Sequence, residues 1–153
     1  MSLKEKLQGD LTTAIRERDE IRSSTIRMVL TAIRNEEVAG KAAKELSDAE
    51  VITVLSREAK KRREAAEAFD AAQAKDRADA ERAEGAVIAG YLPQQLTEDE
   101  IKELITSVIK ETGASGPAQM GLVMKSLQPK IAGRADGGQV SNLVKQALAG
   151  GAK

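Results

Sequence analysis

"YLPQQLTEDEIKELITSVIKETG", residues 91–113, decides how this chain is built. Pro93 holds Leu92 in extended geometry and continues a helix poorly, so the element before it must end there. "TEDE" at 97–100 is a capping box: the Thr97 side chain accepts from the Glu100 amide, and the Glu100 carboxylate reaches back. Ile101, Leu104, Ile105, Val108 and Ile109 then lay an apolar stripe along one helix face, and Gly113 closes it. This order of break, cap, stripe and stop predicts a domain boundary near Tyr91–Leu96, with an N-terminal domain over 1–90 and a tail domain over 91–153.

Downstream, "SGPAQMGLVMKSL" restarts with Pro117 near a first helical turn, where its missing N–H is harmless. Met120, Val123, Met124 and Leu127 form the next stripe, and Pro129 is expected to end that helix. Val140, Leu143, Val144, Ala147 and Leu148 mark the last one. Three short amphipathic helices can bury their stripes only against each other, which predicts a small three-helix tail.

Upstream the signals are also helical. Ile26, Val29, Leu30 and Ile33 follow helical spacing, and "SDAE" at 47–50 is a second capping box. The segment it opens runs through "REAKKRREAAEAFDAAQAKDRADAERAEG", almost all strong helix formers, and predicts one long charged helix from 47 to about 84. Its apolar volume comes mostly from alanine, so its contacts must be close or thin. The fold class is all-α, with no convincing strand.

Composition narrows the chemistry. The 153 residues include no Cys and no His, which removes thiolate nucleophiles, thiolate metal sites, disulfides and the commonest general base. No apolar run is long enough to span a membrane, and the reading is of a soluble, cytoplasmic protein. Net charge is zero but unevenly spread. Residues 1–90 hold 17 Lys/Arg against 18 Asp/Glu, whereas from 112 onward Lys125, Lys130, Arg134, Lys145 and Lys153 face only Asp136. Such asymmetry can mark a surface for a polyanion.

"KIAGRADGGQV", residues 130–140, sets Lys130 and Arg134 beside Gly133, Gly137 and Gly138 at the start of a helix. It lacks the Walker A pattern and any strand context for a dinucleotide fingerprint. Its first reading is a turn in which Gly133 or Gly137 takes positive φ and Asp136 caps the last helix. A helix N-terminus with two cations beside it is also compatible with a phosphate. Glu98, Asp99, Glu100 and Glu103 read as first-turn acids that favour the helix dipole, and Ser141 with Lys145 as a commonplace surface pair. Lys60, Lys61, Arg62 and Arg63 encircle their helix and read as a solvated face.

The ordered set "YLPQQLTEDEI" and "MGLVMKSLQPKIAGRADGGQVSNLVKQAL" resembles the C-terminal tail domain of the B subunit of tRNA-dependent amidotransferases. With "LTTAIRERDEIRSSTIRMVLTAIRNEE" and "LSDAEVITVLSREAKKRREAAEAF" upstream, nearly the whole chain resembles the freestanding YqeY family that shares this tail. One departure is Glu84-Gly85, where an apolar step is expected after the long helix. The resemblance implies a tail that meets the outer body of tRNA, with Lys125, Lys130, Gly133, Arg134 and Lys145 as the matching positions.

The expected function is therefore a tRNA-binding accessory protein with no catalytic site and no cofactor. The alternatives are a protein-interaction module of the translation or amidotransferase machinery and, by family association alone, a carbon–nitrogen ligase using glutamine as nitrogen donor. One Tyr and one Phe leave little for base stacking, so recognition would fall on phosphate, 2′-OH and shape, with no DNA partner expected.

Overall fold

The computed structural model describes residues 1–150. Among them are seven α-helices and one short 3-10 turn, and no strand. They form two compact units, Met1–Leu92 and Pro93–Lys153.

The first unit is two helical hairpins. Helix α1 (Leu3–Arg16) starts at a capping box of Ser2 and Glu5, and α2 (Glu20–Glu37) starts at Asp19, whose side chain accepts from the Arg22 amide. Between them Arg18 sits at φ 58, and the amides of Arg18 and Asp19 return to the carbonyls of Ile15 and Ala14. That is a Schellman stop, here without the usual glycine. Ile26, Val29 and Ile33 of the expected stripe are buried, and Leu30 packs at the core's edge.

The third helix, α3 (Asp48–Ala71), begins at the Ser47–Glu50 capping box. The single long helix expected over 47 to about 84 is not what forms. The chain turns at Ala72–Ala74 and returns as α4 (Lys75–Ala89), packed along α3. Ala66 and Ala78 are buried at 3% and 0% exposure. A lone helix with an alanine seam would bury almost nothing, and folding back lets its small faces meet. Gly85 lies inside α4, where an added Cβ would meet the Arg62 Cβ at an ordinary 3.7 Å, so it does not end the helix. Leu7, Ile26, Val29, Ile33, Leu46, Val51, Val54, Leu55 and Ile88 make the core. Each large aliphatic side chain there contributes roughly 1.5–3 kcal/mol by leaving water.

The Glu37 carboxylate accepts from Lys4 Nζ at 2.9 Å and from the Leu46 amide at 3.2 Å, tying the loop after α2 to α1. At the other end Tyr91 Oη donates to Asp10 Oδ2 at 2.5 Å and accepts from Arg22 at 3.1 Å. Tyr91 thus belongs to the first unit.

The second unit contains α5 (Glu98–Thr112), a 3-10 turn at Pro117–Gln119, α6 (Met120–Ile131) and α7 (Gly137–Gly150). Thr97 and Glu100 form the capping box and Gly113 closes α5 at φ 70. Pro129 does not end α6, which continues to Ile131. The proline deprives the Lys125 carbonyl of its helical donor. Lys125 and Pro129 are both exposed, so water can replace that donor, while the buried Ile131 holds the last turn down. Ile101, Ile105, Val108, Val123, Leu127, Ile131, Val140, Leu143, Val144 and Leu148 share one core.

Candidate nucleic-acid interface

The loop between α6 and α7 is shaped by glycine and proline chemistry before any charge is considered. Gly133 takes φ +72, and Gly137 does not enter the left-handed region. The Arg134 amide returns to the Ile131 carbonyl at 2.8 Å, which tightens the exit from α6. Asp136 caps α7: its carboxylate accepts from the Gly138 amide at 3.3 Å and its carbonyl from the Val140 amide at 3.0 Å.

A strap formed by residues 93–96 lies against this loop. The Leu96 amide donates to the Arg134 carbonyl at 2.8 Å, and Arg134 Nε donates to the Gln94 carbonyl at 3.0 Å. Gln95 Nε2 donates to the carbonyls of both Pro93 and Gly133, each at 2.8 Å. The Glu100 carboxyl is held below its usual range, first by the Thr97 amide, then by the Thr97 hydroxyl, with a smaller contribution from Arg134. A depression of about 300 Å³ lies here, lined by Leu96, Glu100, Glu103, Leu104 and Arg134. Its two carboxylates make it a poor seat for a phosphate.

The five positions singled out from the sequence therefore divide by role. Gly133 and Arg134 are brought together with the strap and shape the loop. Lys130 is 40% exposed and its Nζ lies 3.5 Å from Glu111, a surface pair that salt or a competing anion readily opens. Lys125 on α6 and Lys145 on α7 are exposed, and no ion pair engages either of them among the described residues. The strap was not legible beforehand, because "PQQ" carries no periodicity and its partners lie about forty residues away.

The other basic cluster is largely spoken for. Arg62 is 19% exposed and points into the hairpin, reaching Glu58 at 3.2 Å, Glu81 at 3.3 Å and Glu84 at 3.8 Å. Lys61 also reaches Glu58, and Lys60 lies 4.0 Å from Glu64. This face neutralises its own charge. No helix among the described residues is long and apolar enough to cross a membrane.

A family model described as YqeY, Yqey-like protein, matches residues 4–148. No curated protein matches the chain.

Proposed function

The chain belongs to the Yqey-like protein family, and from that premise we propose that it is a cytoplasmic accessory protein that binds folded RNA, with tRNA the class implied by the tail it resembles. The observation that supports this reading is the pair Lys125 and Lys145. Both are solvent-facing cations, without an ion pair among the described residues, in a stretch where basic residues outnumber acidic ones. Neither has a structural task, which leaves their charge available for phosphate. Lys130 adds to them when it leaves Glu111, whereas Gly133 and Arg134 act by holding the loop in shape. Recognition of this kind reads backbone and shape, as suits a protein with a single tyrosine and a single phenylalanine. With neither Cys nor His, thiolate and imidazole chemistry lie outside its reach, and the role we propose is binding.

Fluorescence anisotropy with bulk deacylated tRNA over a salt series, with duplex DNA as control, tests the reading. The expected result is a preference for tRNA and a salt slope that falls by about two phosphate contacts in K125A/K145A. Absence of tRNA binding at low salt would overturn it and leave a protein partner as the leading explanation.

A further inference from the structure

The α3–α4 turn is held against the preference of its own residues. Gln73 sits at φ 58, a left-handed conformation that disfavours any side chain with a Cβ. The stop is a Schellman motif: the Gln73 amide returns to Asp70 at 3.0 Å and the Ala74 amide to Phe69 at 2.8 Å. Around it, "DAAQAKD" at 70–76 contains neither Gly nor Pro, and its three alanines are the best helix formers. Ala74 offers no side-chain cap to α4. The α1–α2 turn is the internal control. It uses the same motif at Arg18, but there Asp19 caps the next helix and gives the chain a local reason to stop. Ala71, Ala72 and Gln73 are exposed, so no packing holds the hinge itself.

The hairpin is maintained by contacts between α3 and α4, all of which can form equally well between two copies. We propose that α4 is an exchangeable arm: the 71–75 hinge straightens, α3 and α4 become one helix, and two copies of this chain swap α4 in a closed two-fold dimer. In that dimer Arg62 of one copy meets Glu81 and Glu84 of the other, and the Arg82–Asp70 pair is likewise made between chains. Ile88 fills the same core from the other side of the exchange. The net change is relief of two left-handed Gln73 residues against the entropy of association, the balance by which short strained hinges promote swapping. Because exchange requires α4 to undock, the dimer forms on refolding at high concentration and interconverts slowly.

The full chain, refolded from denaturant at low and high concentration, would be sized by light scattering beside Gln73→Gly. Glycine both removes the left-handed penalty and weakens the straight helix, each worth roughly 5-fold. The swapped dimer should therefore weaken by at least about 100-fold over its two hinges. Which chain each α4 packs on is read from R62C/G85C, facing positions whose Cβ atoms would stand 3.7 Å apart, as a disulfide needs, and the only cysteines in an otherwise Cys-free protein. After oxidation, the dimer fraction should carry disulfides between chains and the monomer fraction disulfides within a chain. The proposal is overturned if no dimer forms at any concentration, if the dimer's disulfides lie within chains, or if Gln73→Gly leaves dimerisation unchanged. Should the cysteine variant not fold, the comparison of the parent chain with Gln73→Gly by light scattering decides alone.

Discussion

Arg134 Nε donates to the Gln94 carbonyl at 3.0 Å while the Arg134 carbonyl accepts from the Leu96 amide, so one residue clasps both sides of a strap forty positions away in sequence. Most of this residue's contribution is thus to the shape of the loop. Arg134→Ala should destabilise the clasp by about 1 kcal/mol, the usual net worth of such a bond. Amide hydrogen exchange at Leu96 is the direct measurement, and it should speed up several-fold. An unchanged rate would mean that the Gln94 bond contributes nothing.

Arg62 is the pin of the α3–α4 hairpin. Removing it leaves Glu58, which is 6% exposed, facing Glu81 and Glu84 without their shared cation. Taking away one partner of a largely buried charge cluster is costlier than the cluster is worth, because the remaining charges stay desolvated. Because Lys61 still reaches Glu58 and Glu84 is partly exposed, Arg62→Ala should lower stability by about 1–3 kcal/mol in urea unfolding. Adding Glu58→Gln to that variant should recover part of the loss.

The protein's only tyrosine reports on the first unit. Burial, then the hydrogen bond to Asp10, pushes the Tyr91 phenol up to about 12, against a smaller opposing effect of Arg22. The fold thus favours the neutral phenol. The stability this provides is fully present below the unfolded value near 10 and is lost as pH rises through about 12. Tyrosinate absorbance should give a single late transition, and Asp10→Asn should move it down.

Glu37 shows the opposite sign. The Lys4 bond first, and then the Leu46 amide, hold its carboxyl below the ordinary value of 4.5. A lowered carboxyl contributes stability that is present above 4.5 and lost as pH falls through the folded value. The gap in melting temperature between the parent chain and Glu37→Gln should accordingly be widest near neutrality and close in acid. A gap that stays constant with pH would show that Glu37 acts by shape alone.

What was legible in the chain was local. Ser47–Glu50 and Thr97–Glu100 announce helix starts because a capping box is complete within four residues, and both form. The stripes on α5, α6 and α7 are legible for the same reason, since a helical period needs no partner to be recognised. The turn at Gln73 was not, because alanine and glutamine encode no stop and the decision comes from Arg62 and Ala66 meeting residues of α4. Pro129 misled in the other direction: its penalty is small in a last turn that faces water. At the candidate interface, the basic excess was readable but its division was not. Lys130 finds Glu111 and Arg134 finds Gln94 only after three helices have packed.

Two glycines of the α6–α7 loop, indistinguishable as letters, should respond oppositely to alanine. Gly133 is at φ +72, where a Cβ collides with its own backbone whatever space surrounds it. Its carbonyl also accepts from Gln95, so relaxing φ would break the strap as well. Gly133→Ala should therefore destabilise the protein by about 1 kcal/mol or more. Gly137 opens α7 outside the left-handed region, and a Cβ built there meets nothing within 4 Å. At such a position alanine costs the folded state nothing and narrows the unfolded ensemble, so Gly137→Ala should stabilise by about 0.5 kcal/mol. Paired chemical-denaturation curves check both signs at once. Shifts of opposite sign would place the conformational demand at Gly133, whereas destabilisation by both would mean that the start of α7 needs a glycine for a reason its backbone does not reveal.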